Sequence, residues 1–130
     1  MTCSTVKRIL IVDDEEAILF SYKRLLQGRF LNVDTCGEIE AALEMIRMVD
    51  YDVVITDLRL SDSEGREGSD ILRYAKQHKP LLPVIIVTGY GNDDISDEVY
   101  ALGAYRYLDK PVAISALIDV LSSLDIISRL

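Results

Sequence analysis

Four short apolar runs in this sequence each lead directly into polar residues. The runs are Ile9–Val12 before Asp13 and Asp14, Val53–Thr56 before Asp57, Val84–Val87 before Thr88, and Tyr105–Leu108 before Asp109 and Lys110. If the runs are parallel strands, their carboxyl ends lie along one edge of one sheet. Open α/β sheets hold their ligands at that edge, so carboxylates, a hydroxyl and an ammonium would converge there. The pattern therefore predicts a parallel sheet with a functional site at its strand ends.

Segments of strand type alternate with segments of helical spacing along the whole chain. The predicted strands are Arg8–Val12, Phe30–Thr35, Asp52–Thr56, Pro83–Val87 and Tyr105–Leu108. The predicted helices are Glu15–Gln27, Glu38–Val49, Ser69–His78 (capped by Ser69), Asn92–Leu102 and Val112–Ile127, and the polar segment Leu58–Glu67 is predicted to be a loop. With right-handed crossovers, the order βαβαβαβαβα predicts a doubly wound α/β sandwich: five parallel strands between two layers of helices.

The size and composition of the chain fit one globular domain. The chain has 130 residues, of which 49% are hydrophobic. That length can bury a proper core, so we predict a single domain over residues 1–130 with residues 1–5 as a loose terminus. No apolar stretch approaches the roughly 18 residues that span a bilayer, so no membrane association is predicted.

The charge of the chain argues against nucleic acid as a direct partner. The formal net charge is −8, whereas binding to nucleic acid depends on basic contacts to phosphates. Cys3 and Cys36 have neither metal-binding nor redox spacing, which is typical of ordinary thiols in a reducing compartment. We therefore expect a cytoplasmic protein that does not itself bind nucleic acid.

Each polar residue at the strand ends has a simpler explanation when it is taken alone. Asp13 and Asp14 could cap the following helix, and Asp57 could close a turn. Thr88 and Lys110 could be an ordinary strand-end residue and an ordinary turn residue. Together, however, three carboxylates at one edge repel one another unless a cation lies between them. Mg²⁺ suits such a site, because it takes oxygen ligands and commonly combines one or two carboxylates with a phosphate.

The same residues fit phosphoryl transfer to a carboxylate. A carboxylate can act as a nucleophile and form an acyl phosphate. The transferring phosphoryl group spreads its charge over several oxygens, which need stabilising groups on more than one side. Lys110 could pair with one of these oxygens, and the Thr88 hydroxyl could donate a hydrogen bond to another. Asp57 is the predicted acceptor.

The sequence resembles the receiver domain of two-component response regulators over about residues 7–125. The matching segments are ILIVDDEE at the first strand, VVITDL at the third, VIIVTGYG at the fourth and GAYRYLDKP at the fifth. The resemblance is specific because five separated positions agree in residue type, order and strand context. It implies a flavodoxin-like fold with strand order 2-1-3-4-5. It also implies a cis bond between Lys110 and Pro111.

The resemblance implies a role for each residue of the site. Asp57 would be the phosphoacceptor, Asp14 and Asp57 would bind Mg²⁺ together with the backbone carbonyl of Arg59, Asp13 would hold the metal through water, and Lys110 would contact the phosphoryl group. Thr88 and Tyr107 would form the switch pair that moves on phosphorylation. Arg59 and Tyr90 flank the site where side chains often tune dephosphorylation. The loop Ser61–Gly68 is longer than is usual in the family, which leaves the lifetime of the acyl phosphate open.

The resemblance also implies partners and leaves two rival functions. A sensor histidine kinase or phosphotransfer protein would donate the phosphoryl group, and an output domain or separate protein would read the signal. The domain would assist its own phosphorylation and dephosphorylation without being classified as an enzyme. A pseudo-receiver would lack one or more of the site residues, and all are present here. A Mg²⁺-dependent phosphatase with an Asp nucleophile usually carries a second acid two residues later, where this chain has Arg59.

The last helix is more apolar than one covered face requires. Its main stripe is Ile114, Leu117, Leu121 and Leu124, while Ile118, Val120, Ile126 and Ile127 fall largely elsewhere. One interpretation is a broad core face. The other is a surface for a partner or for a homodimer, formed together with the fourth helix and fifth strand as in the family. It also stays open whether the domain stands alone or is the N-terminal part of a longer regulator.

Overall fold

The computed structural model describes residues 6–28, 30–58, 67–89 and 92–126. The strands are β1 Lys7–Val12, β2 Leu31–Cys36, β3 Val53–Asp57, β4 Val84–Thr88 and β5 Arg106–Asp109. The helices are α1 Glu16–Leu26, α2 Ile39–Met48, α3 Glu67–His78, α4 Asp93–Ala101 and α5 Ile114–Ser123. Every predicted element is present, and all boundaries except the end of α5 lie within two residues of the prediction. Residues 1–5, predicted as a loose terminus, lie outside the described residues.

The five strands form one parallel sheet in the order β2-β1-β3-β4-β5, which confirms the predicted fold class. β1 pairs with β2 on one side and with β3 on the other. The order of the strands therefore reverses between β1 and β3. At such a reversal the following loops diverge to opposite faces and leave a crevice at the carboxyl ends of the strands.

Two hydrophobic clusters cover the two faces of the sheet. Successive residues of β1 alternate between them, so that Leu10 packs into one cluster and Ile9 and Ile11 into the other. α2 and α3 contribute buried side chains to the first cluster, and α1 and α5 contribute to the second. The central strands are consequently apolar on both faces, as expected for a parallel sheet between helical layers. No helix in the described ranges is both long enough and apolar enough to traverse a lipid bilayer.

The ends of two helices differ from the sequence prediction. α3 begins at Glu67, so Ser69 lies within its first turn and is not its N-cap. α5 ends at Ser123 because the chain leaves the helix at Asp125, which has a positive φ of 60°. The N–H of Ile126 donates to the carbonyl of Leu121, and the N–H of Asp125 donates to that of Ser122. This is the hydrogen-bond pattern of a Schellman C-cap.

The additional apolar residues of α5 belong to the core. Val120 and Ile126 are 8% and 7% exposed, and Ile118 is partly buried against the same cluster. Ile127 lies outside the described residues. Val120 and Ile126 therefore support the interpretation as a broad core face, and the alternative of a partner or homodimer surface stays a prediction.

Candidate functional site

The carboxyl ends of β1, β3, β4 and β5 lie side by side and carry the predicted polar residues. Asp57 is in register with Val87 of β4, and Thr88, the next residue of that strand, is in register with Asp109 of β5. Asp13 directly follows β1, whose last residue, Val12, pairs with Thr56 of β3. The alignment of the strands thus brings together residues that are far apart in the sequence.

Asp13, Asp14 and Asp57 form a cluster of carboxylates. Each contributes one oxygen to a group in which all the oxygens lie within 4.8 Å of one another. Asp13 and Asp57 are only 3% and 5% exposed, whereas Asp14 faces solvent. The cluster is an all-oxygen donor set open on one side, which fits Mg²⁺ because this ion binds carboxylates while it keeps several waters.

Burial and repulsion within the cluster both disfavour the charged form of Asp14. Its pKa is raised first by burial and then by the neighbouring charges of Asp13 and Asp57. A cation placed among these side chains would relieve that repulsion. The simpler explanation, helix capping, does not account for the pair Asp13 and Asp14. The N-cap of α1 is Glu15, and the Oδ1 of Asp13 accepts the N–H of Glu15 at 2.9 Å, outside the helix.

Lys110 connects two of the three carboxylates. Its Nζ lies 2.8 Å from Oδ2 of Asp13 and 2.7 Å from Oδ2 of Asp57. Burial lowers the pKa of Lys110, but the hydrogen bonds and charges of these two carboxylates outweigh burial and raise the pKa above its ordinary value. The residue is therefore an ammonium at neutral pH. The following peptide bond, to Pro111, is cis, as the resemblance implies.

Thr88 and Tyr107 lie on the neighbouring strands β4 and β5. Thr88 is fully buried, and its carbonyl accepts the N–H of Lys110 at 2.9 Å. Tyr107 is in register with Ile86, two residues before Thr88 on β4. The hydroxyl of Tyr107 is buried and has no hydrogen-bond partner among the described residues. Burial, followed by the charge of Asp109, raises the pKa of Tyr107.

The backbone of Gly68 lies very close to the backbone of Asp57. Gly68 is not among the site residues predicted from the sequence. A Cβ on Gly68 would lie 2.3 Å from the carbonyl oxygen of Asp57 and 2.5 Å from the Cα of Leu58. The N–H of Gly68 donates to the carbonyl of Leu58 at 3.0 Å. The start of α3 therefore packs directly against the backbone of Asp57, and only glycine fits there. A glycine near the start of a predicted helix is the one signal that could have indicated this contact.

The structure thus brings Asp13, Asp57 and Lys110 into contact, places the carboxylate of Asp14 within 4.8 Å of the other two carboxylates, and puts Thr88 at the adjacent strand end. Tyr107 lies further back on β5, opposite Ile86. Arg59 and Tyr90, predicted to supply a carbonyl ligand and to tune dephosphorylation, lie outside the described residues. So does most of the predicted loop Ser61–Gly68, whose last two residues open α3.

Comparison with known proteins assigns the domain to a family. A model of the response regulator receiver domain matches residues 9–122 of the chain. The chain belongs to this family. This match confirms the resemblance inferred from the sequence. Receiver domains of response regulators are signalling domains rather than classical enzymes.

Curated relatives of this receiver domain are considerably longer proteins. The DNA-binding transcriptional regulator NtrC of Klebsiella pneumoniae is 35% identical over 112 residues, which cover 84% of this chain and 23% of the relative. The response regulator protein PilR of Pseudomonas aeruginosa is 30% identical, with 90% of this chain and 26% of the relative covered. The chain spans about a quarter of the length of these curated relatives.

Solved structures show the same fold. A CheY-like response regulator receiver domain protein from Methanospirillum hungatei superposes with a TM-score of 0.82 at 33% identity, covering 93% of this chain and 95% of that one. The beryllofluoride-activated NtrC4 receiver domain dimer superposes with a TM-score of 0.83 at 28% identity, covering 92% and 96%.

Proposed function

We propose that this receiver domain accepts a phosphoryl group on Asp57 from the phosphohistidine of a sensor kinase or phosphotransfer protein, and that Mg²⁺ is required. The observation that supports the proposal most strongly is the arrangement around Asp57. Its buried carboxylate is bonded to the ammonium of Lys110 on one side and adjoins the carboxylates of Asp13 and Asp14 on the other. A nucleophile, a fixed positive charge and a set of metal ligands are thereby adjacent.

In the proposed transfer, an oxygen of Asp57 attacks the phosphorus of the phosphohistidine. The new O–P bond forms as the N–P bond breaks. The electron pair of the broken bond stays on the imidazole, whose other ring nitrogen carries a proton, so a neutral imidazole leaves. Lys110 supplies positive charge for the phosphoryl oxygens, and the hydroxyl of Thr88 donates a hydrogen bond to one of them.

Asp14, Asp57 and the backbone carbonyl of Arg59 would hold Mg²⁺ directly, and Asp13 would hold it through water. The metal, when bound, neutralises charge that develops on the transferring phosphoryl group. Without it, the third carboxylate of the cluster would repel an incoming phosphate, because Lys110 provides only one positive charge. Mg²⁺ is therefore part of the proposal.

The product of the reaction is a signal carried by a change in shape. Phosphorylation adds negative charge and strong acceptor oxygens at the buried end of β3. We propose that Thr88 turns toward the new phosphoryl oxygens and that Tyr107 changes rotamer with it, which alters the surface formed by α4 and β5. Tyr90 and the side chain of Arg59 would tune the rate of dephosphorylation.

The length of the curated relatives supports an output beyond this domain. NtrC is a DNA-binding transcriptional regulator. With a net charge of −8, the present chain is unsuited to contact DNA itself. We propose that it acts in the cytoplasm and passes its signal to an output domain or to a separate protein.

Dimerisation through α4, β5 and α5 is part of the same proposal. It is supported by the beryllofluoride-activated NtrC4 receiver domain, which is a dimer. The surplus apolar residues of the last helix add little support, since Val120 and Ile126 are buried and Ile118 is partly buried against the core. Sedimentation with and without beryllofluoride tests it, and an unchanged mass would contradict dimerisation driven by phosphorylation.

The phosphoacceptor role is tested by incubating the protein with acetyl phosphate and Mg²⁺ and separating the phosphorylated form on Phos-tag gels. The wild type is expected to shift, and Asp57→Asn is expected not to shift. Asp50→Asn is a matched control, because Asp50 is a fully exposed aspartate away from the site and should leave the shift unchanged. Equal labelling of the wild type and Asp57→Asn would refute the assignment.

A further inference from the structure

A tyrosine of α4 is bonded to the backbone of the proposed switch residue. The hydroxyl of Tyr100 accepts the backbone N–H of Tyr107 at 2.9 Å. Tyr100 is the next-to-last residue of α4, and its side chain is 44% exposed. A single phenol oxygen therefore connects the C-terminal turn of α4 to the middle of β5.

The hydrogen bond has a specific origin in the sheet. β5 is an edge strand, so every second N–H of β5 faces away from β4 and lacks a partner in the sheet. The N–H of Lys110 donates to the carbonyl of Thr88 on β4. Tyr107, three residues earlier, has the opposite orientation, and its N–H faces outward. Tyr100 supplies the acceptor that the sheet cannot.

The side chain of Tyr107 is held less well than its backbone. Its hydroxyl is buried and makes no hydrogen bond of good geometry among the described residues, although burial and the nearby carboxylate of Asp109 raise its pKa. A buried polar group without a partner is unfavourable, so the observed position of the ring is not secured by its own hydroxyl. The backbone N–H of Tyr107, by contrast, donates a well-formed hydrogen bond to Tyr100 of α4.

We propose that Tyr100 is a positioning residue for the switch: its hydroxyl holds the end of α4 against β5 at Tyr107 and thereby favours the unphosphorylated arrangement. This inference rests on the proposed function and deepens it. Movement of Tyr107 or α4 breaks the hydrogen bond, and solvent can replace it because Tyr100 is partly exposed. The exposed phenol also shields the outward N–H of β5, so the same movement makes this edge available to a partner.

The test uses Tyr100→Phe, which keeps the ring and removes only the acceptor. In the unphosphorylated protein, exchange of the Tyr107 amide hydrogen, measured by NMR, is expected to be roughly 2- to 10-fold faster, the range for loss of one ordinary hydrogen bond. With Mg²⁺ present, the apparent affinity for beryllofluoride is expected to rise by a similar factor. A residue that only stabilises the fold would not increase that affinity.

Tyr105→Phe is the matched control. The hydroxyl of Tyr105 on the same segment bonds to Ser123 of α5 at 3.0 Å, on the other side from α4. The control should change neither the exchange of the Tyr107 amide nor the affinity for beryllofluoride.

Unchanged amide exchange in Tyr100→Phe would overturn the proposal, and so would faster exchange with unchanged affinity, or equal effects in Tyr105→Phe. A wild type that does not bind beryllofluoride would overturn the proposed function and the switch role together. A wild type that binds it with the same affinity as Tyr100→Phe would overturn the role of Tyr100 alone.

Discussion

The ammonium of Lys110 lies 2.7 Å from Oδ2 of Asp57, although the two residues are 53 positions apart in the chain. The same nitrogen lies 2.8 Å from Asp13, which is 97 positions away. Both bonds depend on the parallel alignment of β1, β3 and β5 around the crevice. The site is therefore a product of the sheet order, and its electrostatics can be tested by changing one charge at a time.

Removal of the Lys110 ammonium should make the stability of the protein more dependent on Mg²⁺. In Lys110→Met the buried carboxylates lose their cationic partner, and we expect a loss of roughly 2 kcal/mol in the metal-free free energy of unfolding, less than for a fully buried ion pair. Added Mg²⁺ should restore more stability in the variant than in the wild type. Urea unfolding with and without Mg²⁺ measures both effects. Lys23→Met, on an exposed position of α1, is the control, and a variant that gains no more from Mg²⁺ than the wild type would contradict the prediction.

The raised pKa of Lys110 predicts the pH range in which its stabilising contribution is lost. The folded-state pKa lies above the unfolded value, which is about 10.4 for lysine. The stabilisation is therefore fully present below that value and is lost as the pH rises through the folded pKa. The difference in unfolding free energy between wild type and Lys110→Met should stay constant from about pH 7 to 10 and then shrink. A decline of this difference between pH 7 and 9 would contradict the assignment.

Asp14→Asn should separate repulsion from metal binding. The pKa of Asp14 is raised in the folded protein, so its charge opposes folding above that pKa, and the penalty vanishes as the pH falls through it. The variant should therefore be more stable than the wild type at neutral pH without metal, by up to about 1 kcal/mol, as is typical for exposed charges.

The same substitution should abolish the response to Mg²⁺. At a concentration ten times the dissociation constant, the wild type should gain about 1.4 kcal/mol from Mg²⁺. Thermal unfolding of both proteins over a Mg²⁺ titration measures the difference. An equal gain in Asp14→Asn would exclude Asp14 as a ligand.

Gly68→Ala tests the contact between α3 and the backbone of Asp57. The added methyl group would meet backbone atoms at 2.3 and 2.5 Å, so α3 or β3 must shift. We expect a loss of about 1–3 kcal/mol, the range for an overpacked core, and a lower rate of phosphorylation by acetyl phosphate. Gly28→Ala is the control, since a Cβ there meets only one atom, at 4.0 Å. Equal stability of the two variants in urea would show that the close approach is absent.

Much of the fold follows from local patterns in the sequence. The apolar strands and the helical spacing of α2 predict the alternation of elements, and alternation with right-handed crossovers predicts a parallel sheet. The convergence of Asp13, Asp57 and Lys110 follows from the same pattern, because each residue ends or follows a strand. The order of the strands came from the family resemblance, since alternation alone is compatible with several orders.

The remaining features depend on tertiary contacts that leave at most a weak local signal. α3 includes Glu67 and Gly68, with Gly68 packed on the backbone of Asp57, so Ser69 resembles a cap in the sequence but lies within the helix. The apolar positions of α5 are ambiguous between core and surface until the neighbouring elements are placed. The hydrogen bond from Tyr107 to Tyr100 requires an edge strand with an outward N–H, which is a property of the sheet and not of either residue.

The most direct measurement is the location of the phosphoryl group. The protein is phosphorylated with acetyl phosphate and Mg²⁺, the acyl phosphate is trapped by reduction with borohydride to homoserine, and peptides are mapped by mass spectrometry. We predict that homoserine replaces Asp57 alone, and that no trapping occurs when Mg²⁺ is removed by chelation. Trapping at another aspartate, or none in the presence of Mg²⁺, would contradict it.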